Sequence, residues 1–283
     1  MSVQARRMES GVDWGLYPSV VLGSAAAGVA ILWLVGGYYH LRYYVLRRGE
    51  PETWKCQPKR FPSAKMQRKA MRLATGNLVL AGLVSGHLVF AITQGLPTPI
   101  YFDVEDYGWP WTIGGTVVLF FLVDGAAYYV HRLLHRPALY RRFHHVHHKW
   151  GAPSPWVVTA VHPAEMLMLQ AGTLLPLFVI PFHYVSAIAV FVYVLVFNII
   201  DHSGVRLSSI WPWQASTSYH DDHHVHFHVN FGQHLMIFDR LHGTLRRTNR
   251  RYGKGVFGGK GAEVEGAEVD GDGPDDPGDF VRY

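Results

Sequence analysis

The sequence predicts an all-α integral membrane protein with about four transmembrane regions, the last a proline-broken hairpin, carrying a cytosolic, helical, histidine-rich domain. Three observations predict it. Long apolar runs recur through the first 200 residues, and 16 of the 18 histidines lie after residue 130. Only 17% of the chain is charged, where globular domains run at roughly 25%. That balance disfavours both a disordered chain and an ordinary soluble enzyme.

Residues 16–39 contain no charge and are long enough to cross the roughly 30 Å of bilayer hydrocarbon as a helix. The run is too long for the apolar core of a cleaved signal peptide. A second uncharged run, 73–100, carries Gly76, Gly82 and Gly86 at the small-residue spacing that lets membrane helices approach closely. A third apolar run, 109–130, holds a single charge, Asp124, and starts with Trp109 and Trp111 as interfacial anchors. The fourth region, 166–200, is about twice the length one span needs and is interrupted by Pro176 and Pro181, which predicts a hairpin or two short helices.

Orientation follows from basic residues. Segment 40–72 holds ten of them, opposed only by Glu50 and Glu52, so the positive-inside rule places it in the cytosol. Residues 101–108, with Asp103, Glu105 and Asp106, then fall on the far side, and the third span returns to the cytosol just before His131. If the fourth region enters and leaves on one side, every histidine cluster faces the cytosol. The net charge is +5, and the basic body fits an anionic membrane surface. The expected organisation is an anchor with two spans and a basic loop (1–108), a histidine-rich domain (109–250) and an acidic, glycine-rich, disordered tail (251–283).

The single cysteine, Cys56, excludes intrachain disulfides, iron–sulfur clusters and thiolate-rich zinc sites, so any metal here is held by imidazole. His131 and His135 form H-x3-H at the end of the third span, one helical turn apart. In FHHVHH, His144, His147 and His148 repeat the i, i+3, i+4 pattern, with His145 turned about 100° away; His220, His223 and His224 repeat it in YHDDHH. Eight imidazoles exceed the four to six ligands that one ion takes, so two metals are expected. Zinc, copper, nickel and iron all suit such a site.

His202, in NIIDHSG, is a candidate further ligand, with Asn198 one turn earlier. His162, in HPAE with Glu165, is expected to support a ligand, since a carboxylate fixes an imidazole's tautomer. Asp124, Asp201, Asp221 and Asp222 are further candidate acceptors for ligand imidazoles, whereas His226, His228, His234 and His242 fit no ligand spacing. No histidine is followed by glutamate, which excludes an H-E-x-x-H zinc protease. Bis-histidine haem would need isolated histidines within spans, and only His87 and His183 qualify. A metal transporter would place its ligands nearer the bilayer midplane.

With HRLLH, FHHVHH, HPAE, DHSG and HDDHHVHFHVNFGQHLMIFDRLHGT in place, residues 110–247 resemble the fatty acid hydroxylase / sterol desaturase superfamily of membrane di-iron oxidases. Asn230-Phe231-Gly232-Gln233, Asp239-Arg240 and Gly243-Thr244 are most like sterol C-5 desaturases. The resemblance implies that His131, His135, His144, His147, His148, His202, His220, His223 and His224 ligate two iron ions. It implies O2 as co-substrate, electrons from NAD(P)H through a separate cytochrome b5-type donor and its reductase, and a sterol or fatty acyl substrate. Some family members carry a ligand histidine four residues before the one that His202 matches; here that position is Asn198. C-4 methyl sterol oxidation and fatty acyl hydroxylation stand as alternatives within the class, and a non-enzymatic metal-binding membrane protein or transporter as one outside it. Eukaryotic relatives imply an endoplasmic reticulum location.

Overall fold

A computed structural model of the chain describes residues 12–209, 211 and 213–246. The acidic tail expected over 251–283 lies outside the described residues. Those described are helical, without a strand; the only extended pairings among them are isolated bridges such as Lys55 with Val205 and Gln214 with Leu235.

Among the described residues, four helices are long and apolar enough to cross a membrane: α1 (Trp14–Val45), α2 (Ala64–Thr93), α3 (Gly108–Leu134) and a later one, Tyr184–Asp201. Helix α1 contains two π-helical stretches, Leu32–Gly36 and His40–Val45. Helix α2 starts at Ser63, whose hydroxyl caps the backbone N–H of Met66. The α1–α2 contact is as close as the glycine pattern suggests. A Cβ on Gly82 would sit 2.4 Å from Ala25 Cα, and one on Gly86 2.7 Å from Val21 Cα. Only hydrogen fits there, so the backbones touch.

After α3 come α4 (Pro137–Arg142) and a 3₁₀ helix, His144–Lys149, which is tighter than the α-helix its histidine spacing suggests. The apolar 166–200 region is divided at its prolines. Helix α5 (Pro163–Leu174) ends in a 3₁₀ turn, Leu175–Phe178, and the chain reverses before α6 (Tyr184–Asp201). The start of α5 and the end of α6 both reach the histidine cluster, so the hairpin enters and leaves on one side. Two short helices follow, α7 (Thr217–His226) and α8 (Ile237–His242).

Two apolar cores brace this frame. One joins Leu32, Ala70, Ala74 and Leu78 to Trp150, Trp156 and Ile199; the other joins Leu119 and Val123 of α3 to Leu177, Phe182 and Val190. Asn77 ties α2 to the segment after the 3₁₀ helix by donating to the carbonyls of Thr159 and Val161, both at 2.8 Å. The histidines therefore sit at the ends of the apolar helices on a fixed scaffold.

A candidate metal centre of nine converging imidazoles

Nine histidines from α3, the 3₁₀ helix, the end of α6 and α7 gather into two adjacent groups. His131, His135, His144, His148 and His223 form one, and His147, His202, His220 and His224 the other; within each group the nitrogens that face one another lie within 4.8 Å. All nine are buried. These are the nine histidines singled out in the sequence.

The i, i+3, i+4 modules do not each serve one ion, as a shared helical face suggests. His144 and His148 enter the first group and His147 the second, while His220 and His224 enter the second and His223 the first. In an α-helix the i+4 side chain lies about 40° to one side of i and the i+3 side chain about 60° to the other. The α7 module therefore straddles the boundary between groups, and the 3₁₀ module His144–Lys149 is divided in the same pattern. His145 is only partly buried and belongs to neither group.

The hydrogen bonds on the far side of the rings decide what the inner nitrogens are. His131 Nδ1 donates to the Phe231 carbonyl at 2.8 Å, His144 Nδ1 to Glu165 Oε1 at 2.6 Å, His202 Nδ1 to the Asn198 carbonyl at 2.8 Å and His223 Nδ1 to the Val229 carbonyl at 2.7 Å. With the proton on Nδ1, each of these neutral rings presents a lone pair at Nε2. Yet His148 Nε2 lies 3.1 Å from His144 Nε2, 3.2 Å from His223 Nε2 and 3.3 Å from His135 Nε2. In the second group His202 Nε2 is 2.9 Å from His220 Nε2 and 3.4 Å from His147 Nε2.

One imidazole proton cannot satisfy that many acceptors, so the arrangement is repulsive without a cation. Metal–nitrogen bonds of about 2.0–2.1 Å place neighbouring ligand nitrogens about 2.8–3.4 Å apart, which is the spacing seen. The donor set fits two cations bound by neutral imidazole. Protonation is opposed as well: burial, then repulsion from neighbouring imidazoles, holds His135, His147, His148, His220, His223 and His224 well below the usual histidine range. His202 is lowered to about 4, mainly by burial.

The supporting residues divide differently from the sequence expectation. Glu165 orients His144 instead of His162. His162 is correspondingly a helix cap: its Nδ1 accepts from the Ala164 N–H at 3.1 Å and starts α5. Asn198 donates its side-chain amide to Gln233 Oε1 at 2.9 Å, while its carbonyl holds His202. Asp201 lies 3.4 Å from His234 Nδ1, Asp221 accepts from Gln57 at 3.0 Å, and Asp222 pairs with Arg246 at 3.2 Å. Asp124 accepts from the backbone N–H of His234 at 2.9 Å.

The sequence marked the loop that supplies two of the four Nδ1 acceptors only as part of the family-like motif, without a role. Asp239, fully buried, accepts from the backbone N–H groups of Phe231 and Gly232 at 3.0 and 2.7 Å, from Thr244 Oγ1 at 2.6 Å and from the Tyr219 hydroxyl. Asn230 takes a positive φ of 55° and donates to the Tyr219 carbonyl at 3.0 Å. Together they fold residues 229–232 so that the Val229 and Phe231 carbonyls face the cluster. The usable signal was Asn-Phe-Gly followed by a buried acid, since Asn tolerates left-handed backbone.

Comparison with known proteins is consistent with this geometry. The fatty acid hydroxylase family matches over residues 116–244. A Delta(7)-sterol 5(6)-desaturase of Aspergillus fumigatus is 31% identical over 169 residues, covering 52% of this chain and 53% of that protein. The lathosterol oxidase of Rattus norvegicus is 32% identical over 160 residues (55% and 54%), and the Delta(7)-sterol 5(6)-desaturase of Saccharomyces cerevisiae 32% over 145 residues (51% and 40%). The chain thus spans about half the length or less of these relatives. No solved structure matches it. Residues 116–244, which match the fatty acid hydroxylase family, hold all nine converging histidines, and the curated proteins similar to the chain include sterol C-5 desaturases.

Proposed function

We propose that the chain is a membrane-bound di-iron oxidoreductase that uses O2 to desaturate or hydroxylate a lipid, with a sterol as substrate class and C-5 desaturation as the favoured reaction. The observation that carries this reading is the convergence of nine buried imidazoles into two adjacent groups whose facing nitrogens lie within 4.8 Å of one another. The proposed ligands are His131, His135, His144, His148 and His223 for one ion, and His147, His202, His220 and His224 for the other. Asn198 stands where a fifth ligand of the second ion could have been, and its amide is engaged with Gln233.

Iron bound there would supply, with O2, the oxidising power to remove hydrogen from an unactivated C–H bond. The residues of the chain do the rest. Glu165 and the carbonyls of Val229, Phe231 and Asn198 fix ring orientation and keep each proton on Nδ1. Phe231, with its centroid 4.9 Å from His135, and Phe227, 4.6 Å from His148, screen the rings from water. Imidazole resists the oxidation that would endanger thiolate ligands. The site lies at the ends of α3 and α6, which lets a lipid approach laterally while electrons arrive from the aqueous side.

Those electrons are assigned to NAD(P)H through a cytochrome b5-type donor and its reductase. The basic 40–72 segment supports a cytosolic assignment for this end, and the endoplasmic reticulum membrane is the location assigned with it. In this reading 1–108 is the anchor and 109–250 the catalytic domain. Metal analysis of purified protein, combined with sterol profiling of cells lacking it, tests the proposal. Two irons per chain and an accumulated sterol precursor are expected; stoichiometric zinc with an unchanged lipid profile overturns it.

A further inference from the structure

Outside the metal centre, one cavity combines charge with an apolar floor. It has a volume of 440 Å³, lies between α1 and α2, and is lined by Trp33, Arg68, Met71, Arg72 and Thr75. Its floor is fixed: the Trp33 indole donates to Thr75 Oγ1 at 3.1 Å and packs 5.1 Å from the ring of buried Trp156. Met71 belongs to the same apolar core.

The upper wall is cationic. Arg68 and Arg72 are exposed and one turn apart on α2, so two like charges share a helix face. Among the described residues neither has a carboxylate partner at ion-pair distance, and the sequence from Ala64 to Arg72 contains no acid. The pair is left for an external anion.

The cavity's place in the fold says where that anion comes from. The Trp33–Thr75 hydrogen bond marks one level across both membrane helices; Arg72 stands about 4.5 Å beyond it and Arg68 about 10 Å. Both arginines lie toward the end bearing the metal centre, since the Met66 carbonyl accepts from Trp150 and Gln67 from Ser154 just after the 3₁₀ helix. Tryptophan followed outward by arginine is the order in which a bilayer passes from acyl chain to headgroup. Guanidinium forks match a phosphate diester bidentately, and a cavity of this size admits a headgroup with its glycerol.

We propose that the α1–α2 cavity is a binding site for an anionic phospholipid, its phosphate held by Arg68 and Arg72 and its upper acyl chain lying on Trp33 and Met71. The site is independent of the metal centre, and its lipid is a ligand, not the oxidised substrate.

Purified full-length protein in phosphatidylcholine nanodiscs doped with phosphatidylglycerol provides the test, with lipid retained per chain read by native mass spectrometry. One phosphatidylglycerol per chain is expected. The affinity should fall about tenfold in Arg68→Gln/Arg72→Gln and severalfold in Arg68→Lys/Arg72→Lys, which keeps the charge and loses the fork. Lys65→Gln/Lys69→Gln removes equal charge from the same helix outside the cavity and should change affinity by no more than about twofold. Equal losses in the glutamine pairs would show generic surface attraction and overturn the site, as would no retained lipid. Displacement of the lipid by millimolar inorganic phosphate would assign the site to a free anion instead. Unchanged thermal unfolding of the variants in pure phosphatidylcholine separates lost binding from lost folding.

Discussion

His131, His144, His202 and His223 each have two nitrogens with separate tasks, and that division makes single substitutions informative. His223 gives Nδ1–H to the Val229 carbonyl and Nε2 to the first group. His223→Ala removes an inner donor and an outer anchor together, so turnover should be lost and metal content should drop toward one ion per chain. His147→Ala should behave alike from the second group, while His145→Ala, at a partly buried ring outside both groups, should keep near-normal activity. Metal-to-protein ratios with product assays check this, and equal damage in all three would refute the division into groups. Lys55 is a second residue-scale case. It is fully buried within about 6 Å of the Tyr44, Trp54 and Phe61 rings, and electrostatically coupled to Asp221. Burial lowers its pKa and raises that of Asp221 to about 6, each held back by the other's charge. Lys55→Met leaves buried Asp221, next to His220 in the chain, with only the weaker charge of Arg60 and the Gln57 hydrogen bond to offset its burial, and should destabilise the fold. Lys55→Met/Asp221→Asn should recover much of that loss in chemical denaturation.

At the scale of elements, legibility depended on whether a signal is local. Apolar length located all four spanning helices, and Pro176 and Pro181 divided the fourth region, because hydrocarbon thickness and proline geometry act within a segment. His162 was misread because a histidine beside a glutamate on one turn is compatible with a ring-supporting carboxylate. Only the tertiary fold shows Glu165 reaching back to His144. The 3₁₀ form of His144–Lys149 was equally hidden, since i, i+3, i+4 spacing points to an α-helix. Asp239 and the 229–232 loop were legible as a motif but not in their role, because that role lies in contacts with Tyr219, Thr244 and the cluster. The glycine stripe of α2 was legible and can be divided experimentally. Gly82→Ala puts a methyl 2.4 Å from the Ala25 backbone, whereas a Cβ on Gly76 meets nothing within 4 Å. Gly82→Ala should destabilise the helix pair by about 1–3 kcal/mol through overpacking. Gly76→Ala should be neutral or slightly stabilising. Unfolding in mixed detergent micelles reads the difference, and equal effects would mean that the α1–α2 contact is looser than described.

For the whole molecule, the metal centre is also a stability element, because it joins α3, the 3₁₀ helix, α6 and α7 through groups that repel one another when no cation lies between them. Seven imidazoles outside the spans are held below their ordinary range: His135, His147, His148, His202, His220, His223 and His224. Unfolded, each would take up a proton near pH 6.5; folded, burial keeps each neutral to lower pH, to about 4 for His202. The unfolded state therefore binds more protons between these limits, and stability rises with pH across that window. For metal-free protein the full stability is present above about pH 6.5, and it is lost progressively as pH falls toward 4. Metal adds to this, since ions that bind only the folded state stabilise it by mass action. Stripping the ions with a chelator at pH 7.5 should lower the unfolding temperature by roughly 10 °C. Acidifying the stripped protein to pH 5 should lower it further, because seven rings then compete for protons they can accept only by leaving the cluster. Loaded protein should resist acid down to the pH at which protons displace metal, and then lose ions and structure in one step. Unfolding scans from pH 5 to 8 with and without chelator, with metal release followed in parallel, check both parts. A stripped protein whose stability did not change between pH 7.5 and 5 would mean that these imidazoles are already solvated, and that the lone-pair repulsion argued for the centre is relieved by water.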